Sequence, residues 1–568
     1  MNRACIAVLM VVGVSAAVLA QTNSLDRDRD PVVLVGIDVL RLLGRPVDQL
    51  VAFRYQAGWQ QIPVQIDERK FADYGVVYNY GAVGLGTFSY VDPNTYTGPD
   101  TDPAFDNNDE LVFMARDAGD RAGAGAGLPT GVLANSGVEV VITDPLDAGV
   151  GYVYLFQTDG TLNPDAGQDY VSYTFNLLAG EYIPNYDTMN GPNPEDSEAF
   201  SLYYRTHFSD RWIRDETNVY AGASTGVDIL DRHRNQFAPG DCGRSEDTFS
   251  AGEGAFFVNK DGPIRAIRSY MGANSGPLTQ REHHFYEQRQ DITTFLRVHE
   301  IKGIMNLYDY SPQAIGMSYY NSLNTQGVLI DGIQDSVTAG PAVWEMVTGA
   351  QGSLLMSSVI DTNISPFTPT SYYSDDDDPK KSPCTGDDFE YGTSGAWVDH
   401  TIPNTDPSNP PAATLIGTRV VYYESPNQTV QTAALRQNQA GTPLSIAIWY
   451  YQPQQAWYTL TLETVNGQLG QILIDPEPDD PNLPTYVGGT VVTLTAVPNE
   501  GKAFKKWTVF DPNVPGDANY AVQDTNTVLH LTMDADYEVT AKFKCGGGVA
   551  PFSGIALLLV LGAMCRRR

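Results

Sequence analysis

The chain has 568 residues, 42% of them hydrophobic and 11% aromatic, which excludes wholesale disorder and is enough apolar material for about two to four domains. Its formal charge of −33 opposes nucleic acid and anionic membrane surfaces as partners. A solvated acidic face is the ordinary meaning of such a charge, and it keeps an exported protein soluble.

The N-terminal stretch MNRACIAVLMVVGVSAAVLAQ sets Arg3 before an apolar run and then small residues up to Ala20. That order of parts is a secretory signal peptide over residues 1–20, cleaved after Ala20, because the run is shorter than a bilayer span. The mature chain then lies outside the cytoplasm.

Residues 21–181 read as an N-terminal β domain. RPVDQLVAF is expected to hold a short helix, while GVEVVITD and GYVYLFQT alternate with period two, as half-buried strands do. Between them, Asp100, Asp102, Asp106, Asn108 and Asp109 put hard oxygens on one loop. Calcium takes about six to eight such oxygens, so the loop is a candidate metal site, although Pro103-Ala104-Phe105 breaks the EF-hand spacing. The competing reading is an acidic turn held by Asx-type hydrogen bonds. GWQQIPVQIDERK together with this loop and DELVF is similar to uncharacterised exported bacterial families in which a β domain precedes a large β-sandwich. After it, YIPNYDTMNGPNPEDSE is rich in turn formers and reads as a linker.

Residues 199–456 read as a central β-sandwich domain. GAFFVNKDGPIRAIRSYM, ITTFLRVHEI, TRVVYYES and SIAIWYYQ are short runs of Val, Ile, Tyr, Phe and Thr, and only SPQAIGMSYYNSL suggests a second short helix. The densest chemistry runs from Arg265 to His299. His283, His284 and His299 are interleaved there with Arg265, Arg268, Arg281, Arg289 and Arg297 and with Tyr270 and Tyr286. Alternation assigns Arg281, His283, Phe285 and Arg289 to one face, His284 and Tyr286 to the other. A groove of Arg, His and Tyr suits sugars, since aromatic rings stack on pyranose faces and Arg binds carboxylates and hydroxyls. Arg265, Arg268, Tyr270, Arg281 and Arg289 are therefore candidate ligand-binding residues; His283, His284, Tyr286, Arg297 and His299 are candidate catalytic groups if the domain cleaves a polysaccharide as a lyase or hydrolase. Cross-strand ion pairs and Tyr packing explain the same residues without any ligand. The Gly-Pro-Ile-Arg-Ala-Ile-Arg phrase and the strands after it resemble the β-sandwich folds of carbohydrate-active and mutarotase-like proteins. The sequence carries no Gly-x-Ser-x-Gly, phosphate-loop or His-Glu-x-x-His motif.

Asp375, Asp376 and Asp377 head a second acidic run, a candidate calcium site or a solvated loop. Cys242 and Cys384 are the cysteines left in the body, and an oxidising compartment pairs them. Such a bridge closes a long loop and contributes about 4 to 5 kcal/mol in the chain-entropy account.

Residues 457–544 form the clearest module. TVVTLTA alternates with Val492, Leu494 and Ala496 on one side, and Gly501, Phe504 and Trp507 precede a closing strand from Met533 to Phe543. With Tyr486 and Gly489 these phrases resemble the divergent InlB B-repeat, a small β-rich repeat of bacterial surface proteins; the resemblance implies a stalk or adhesion module in which Phe504 and Trp507 cap the core. Residues 545–568 then run Cys545, Gly546, an apolar stretch and three arginines. This resembles a C-terminal sorting signal, in which a Cys/Gly step is processed; a single-pass anchor is the alternative, its arginines held on the cytoplasmic side. Mainly β is thus the expected fold class: a sandwich body of one or two domains, an InlB-type repeat and a hydrophobic C-terminal helix. The expected function is an envelope-anchored surface module, binding or structural, with carbohydrate as the candidate ligand and a polysaccharide-active enzyme (lyase or hydrolase) as the alternative. Envelope sorting machinery, the membrane and glycans are the expected partners.

Overall fold

Period-two alternation organises the molecule into antiparallel sheets. The computed structural model describes residues 21–545 apart from 74–85, 94, 96, 124–125, 178–193, 210–212, 238–254, 274–275, 297–299, 379–388, 404–412, 452–456, 466–468, 479–483, 488–489, 511–520 and 534. The signal segment, the sorting tail from Gly546, Cys242, Cys384, Arg297 and His299 lie outside the described residues, and so does most of the expected linker. Contacts divide the chain into two units: a body of Leu19–Gly123 with Leu128–Gln452, and a C-terminal unit that begins at Pro453.

Two large sheets dominate the body. A nine-stranded sheet runs Ala255–Lys260, Ala266–Ala273, Gly276–Phe285, Arg289–Phe295, Leu415–Glu424, Gly352–Thr362, Trp344–Gly349, Ser318–Asn321, Asn324–Leu329. Against it lies an eight-stranded sheet ordered Ser172–Leu177, Pro194–Phe200, Tyr204–Phe208, Arg214–Val219, Leu230–Phe237, Ile304–Tyr310, Glu390–Val398, Thr370–Asp376. Their inner faces share one core that includes Tyr204, Phe208, Phe285, Tyr308, Met356 and Val421. Tyr204 stacks on Tyr423 across the interior with ring centroids 3.9 Å apart. This is the sandwich expected from the sequence.

The outer face of the nine-stranded sheet is covered as well. A three-stranded sheet, Pro31–Val35, Glu110–Met114 and Gln65–Asp67, sends Val112 and Met114 onto Ile264 and Tyr286. Its other side packs Leu111 and Phe113 against a five-stranded sheet. Being covered on both sides explains why ELVFM is an unbroken buried run rather than an alternating one. One edge of the five-stranded sheet is Ser445–Tyr450, which pairs with Val138–Thr143, so the last strand of the body completes its first sheet.

Helix is scarce and falls elsewhere than expected. In RPVDQLVAF only Val47–Gln49 makes a single 3₁₀ turn, after which Leu50–Tyr55 pairs with Val150–Gln157. SPQAIGMSYYNSL likewise holds one turn, Pro312–Ala314, before Ser318–Asn321 joins the large sheet. The one described α-helix, Val430–Gly441, starts at Thr429, whose hydroxyl accepts the Thr432 N–H. It sets Ala433 against Trp344, Met346, Leu355 and Tyr422 on the outer face of the nine-stranded sheet.

In the C-terminal unit a five-stranded sheet and a three-stranded sheet enclose a separate core. Val492, Leu494 and Ala496 are buried while Val491 is exposed, as the alternation requires. Trp507 is fully buried, and Phe504, partly buried, packs on it with centroids 5.1 Å apart. Trp457–Val465 pairs in parallel with Tyr537–Cys545, tying the first strand of the unit to its last described one.

Candidate functional site

The sequence-predicted residues separate onto the two faces of the nine-stranded sheet. On the outer face, Arg265 is 1% exposed and is held by Asp67 (2.9 Å) and Glu110 (2.6 Å), with the Gln65 side chain accepting its backbone N–H. Lys260 adds a second cation 2.8 Å from Asp67. Burial works to raise the Asp67 carboxyl, but Lys260 and Arg265 prevail and hold it well below the usual carboxylate range. His284 sits 3.1 Å from Glu282, and Tyr286 is buried, its hydroxyl pushed up to about 12 by desolvation. Arg289 also belongs to this face, paired with Asp30 (2.6 Å) and Asp291 (2.7 Å). The bend at residues 286–288 takes it away from the face that alternation assigned to it together with His283.

The inner face carries Arg268, Tyr270, Arg281 and His283, all at most 2% exposed. His283 stacks with Phe285, and its Nδ1 meets the Gln290 amide at 3.0 Å. Burial, followed by Arg268, Arg281 and Arg214, drives its pKa well below the ordinary histidine value. Arg214 reaches across from the eight-stranded sheet and donates to Gln290 (2.5 Å), Tyr423 (2.6 Å), Tyr308 (2.9 Å) and Thr206. All four partners are uncharged. His283 and His284 therefore point to opposite sides of the sheet, and neither shares a cleft with the other.

Open space occurs further along the same interior. A cleft of about 120 Å³ is walled by aliphatic groups such as Ile292, Ile304, Ile360 and Leu415, with Asn235, Asn306 and Arg419 among its polar groups. A second of about 40 Å³ adjoins it, sharing Ser358, Pro369, Ala396 and Arg419 and adding Glu345. Arg419 donates to the Asn306 carbonyl (3.1 Å), lies over the Tyr308 ring and comes within 3.7 Å of Glu345. Arg419 Nη1 is buried and makes no hydrogen bond of good geometry, while the Ser394 hydroxyl lies within hydrogen-bonding reach of both Glu345 and Tyr310. Burial raises the Glu345 carboxyl, and Arg419 and a hydrogen bond with Ser394 only partly offset that.

The sequence reading did not single out Arg419 or Glu345. Their signal was a lone charge in the inward register of an apolar strand: Arg419 shares its side with Val421 and Tyr423, Glu345 with Val347.

The aspartates of the acidic loops accept backbone N–H groups, while the Asn108 side-chain oxygen is buried without a hydrogen bond. Asp100 accepts the Asp102 N–H (3.0 Å), Asp102 that of Ala104, Asp106 that of Asn108 and Asp109 those of Asp106 and Arg69. Asp375 takes N–H groups from Asp331 (2.9 Å), Gly332 and Gly392 (both 3.1 Å), and Asp376 caps Asp378. Asp377 lies against Gly332. Among the described residues no three His, Cys, Asp or Glu side chains are grouped to hold a metal ion. No described helix is long and apolar enough to cross a membrane.

With the geometry of both units established, their relatives can be placed. Residues 460–547 match the divergent InlB B-repeat domain. The InlB-type repeat thus covers almost the segment marked out by its Thr-Val-Thr-Leu-Thr-Ala strand and its Phe504 and Trp507 pair. Among curated proteins no sequence matches the chain. Solved structures similar to it include a putative aldose 1-epimerase from Escherichia coli K12 (8% identity, TM-score 0.26, covering 44% of this chain and 99% of that one). An α-mannosidase from Enterococcus faecalis V583 is similar at 8% identity and TM-score 0.36, covering 85% of this chain and 52% of that one. Heparan sulfate lyase HepC from Pedobacter heparinus follows at 8% identity and TM-score 0.25, with 57% and 40% coverage. The chain spans about half or less of the length of the latter two. At these scores the likenesses carry no weight for activity.

Proposed function

We propose that this chain is an extracytoplasmic bacterial surface protein whose β-sandwich body binds a ligand in the cleft between its two large sheets. The InlB-type repeat supports the surface placement, and it serves as a spacer between the body and the envelope. The signal segment ending at Ala20 and the tail from Cys545 supply export and retention, and Cys242 pairs with Cys384 in the oxidising compartment.

One observation carries the ligand reading. Arg419 is more than nine-tenths buried, leaves its Nη1 without a hydrogen-bond partner and lines open space beside the equally buried Glu345. Unmet polar atoms in a low-dielectric wall cost about 1–3 kcal/mol apiece, a debt that a ligand with matching groups removes. The Arg265 and Arg268 segment offers nothing comparable, because its cations are already enclosed. The reading is tested by immobilising the full chain and screening a glycan array with wild type, Arg419→Met and Glu345→Gln. Retention that both substitutions abolish supports it; retention unchanged by either overturns it. Surface placement is tested by protease shaving of intact cells, which removes the repeat if the chain is displayed and spares it if the chain is internal.

A further inference from the structure

We infer that the body pairs with a second copy of this chain through the free edge of its five-stranded sheet, Ser445–Tyr450 lying antiparallel against the same strand of the partner. That strand ends the sheet and pairs only with Val138–Thr143, Tyr450 standing opposite Val138. The next residue, Tyr451, donates its N–H to the Gly137 carbonyl at 3.0 Å. Bonded and non-bonded positions alternate along an antiparallel pair, so Ser445, Ala447 and Trp449 bond the neighbouring strand. Ile446, Ile448 and Tyr450 therefore turn their N–H and C=O groups to the open side, where no described hydrogen bond meets them.

Exposed edges are ordinarily guarded by charge, proline, a bulge or a covering segment. This one has none of these guards. Ser-Ile-Ala-Ile-Trp-Tyr holds no charge and no proline, its pairing runs without a register shift, and Trp449 and Tyr450 are 62% and 65% exposed. Two other edges differ: Thr370–Asp376 carries two aspartates and a register shift, and Trp59–Ile62 is four residues long with two glutamines. Beside the unguarded edge, Asp38, Leu40 and Arg41 border a cleft of about 270 Å³ that Ile448 and Tyr450 also line, and Leu40 is exposed there. An added strand covers these apolar groups.

A second copy fits this edge for two reasons. Chains of formal charge −33 repel one another, and contact is least opposed where both approaching strands are uncharged. The strand is also complementary to itself. A two-fold axis at Ile448 sets its outward N–H and C=O against those of the partner's Ile448, lays Trp449 over the partner's Ala447 and places Tyr450 opposite the partner's Ile446, large against small. Such a pair is closed, because each copy uses up the edge that the other offers.

Sedimentation equilibrium of the full chain, with hydrogen exchange of residues 445–450 read by mass spectrometry, tests this. Wild type is expected to double its mass as concentration rises, with exchange in this segment slowing in step. Ile448→Pro removes an outward N–H and leaves the bonds to Val138–Thr143 in place, as edge prolines do, and it is expected to abolish the doubling. Ala447→Glu puts a charge under the partner's Trp449 from an exposed position, so it is expected to do the same, and it decides the matter alone if Ile448→Pro fails to fold. A mass doubling that Ala447→Glu leaves unchanged, as association through residues 545–568 would give, overturns the inference. So does a wild type that stays monomeric, including one whose edge is protected only when an unrelated extended peptide is added.

Discussion

The body buries arginines on both faces of its nine-stranded sheet, and the two faces treat them in opposite ways. On the outer face Arg265 meets two carboxylates within 3 Å, and Asp67 meets two cations. On the inner face Arg214 has four uncharged partners, and Arg419 has one carboxylate at 3.7 Å with a donor left over. The first arrangement is closed. Arg265 and Asp67 are spent on joining the three-stranded sheet to the sandwich, so this pair keeps no capacity for a ligand. The second is open, because Arg419 keeps an unspent donor beside a carboxyl that it only partly neutralises. Burial of charge alone does not distinguish cement from function; the completeness of the pairing does.

The largest effect should come from breaking the closed arrangement. Removing one member of a buried, hydrogen-bonded ion network leaves its partners uncompensated and costs about 3–5 kcal/mol. Asp67→Ala strands both Lys260 and Arg265, and we expect that loss in a denaturation titration of the body at pH 7. Arg419→Met takes away the cation 3.7 Å from Glu345, but a carboxyl that burial already raises can take up a proton instead, so the loss is expected to be smaller, about 1–2 kcal/mol. Equal losses in the two variants would erase the distinction between the faces.

A smaller effect, opposite in sign on the two faces, follows from pH. The folded Asp67 carboxyl is held below its ordinary value, so its contribution is present above about pH 4 and is lost as pH falls further. Burial raises the Glu345 carboxyl, so its favourable share is complete below about pH 4 and is lost as pH rises through the folded value. Glu345→Gln should therefore raise the melting temperature at pH 7 more than at pH 4, whereas Asp67→Asn should lower it at pH 7 and approach wild type in acid. The same direction for both variants would mean that the two carboxylates sit in equivalent surroundings.

This contrast also marks what could be read from the sequence. Alternation in TVVTLTA and TRVVYYES identified strands and their two sides, and the repeat was legible because its Thr-rich strand and Trp507 recur at fixed spacing. Parity does not say which side faces water. In a sheet covered on both faces neither does, so Arg265, Arg268 and Arg281 read as a groove and turned out enclosed. Arg419 and Glu345 are 74 positions apart and meet because Gly352–Thr362 lies between their strands in the sheet, a pairing that no local pattern announces. The helix Val430–Gly441 was missed for a related reason: its buried positions are Ala433, Arg436 and Gln439, which form no apolar stripe.

The smallest expected effect concerns a carboxylate between the two extremes. Asp228 has no cation partner like those of Asp67 and no cleft like that of Glu345; its Oδ1 takes the backbone N–H groups of Thr217 (2.8 Å) and Leu230 (3.1 Å). Burial lifts it to about 6, the two N–H bonds work against that lift, and Glu216 and Asp215 add to it. A raised folded value means that its favourable share is complete below about pH 4 and disappears as pH climbs through 6. Asparagine keeps an oxygen for the N–H groups and has no charge to desolvate. Asp228→Asn should thus gain on wild type between pH 5 and pH 7.5 by roughly 1 kcal/mol, a figure reduced for solvent screening of a partly open group. Urea midpoints at the two pH values decide the matter: a variant that falls equally far behind wild type at both would show that the two backbone bonds need a full carboxylate, and partial pairing by N–H dipoles would then count with the closed class.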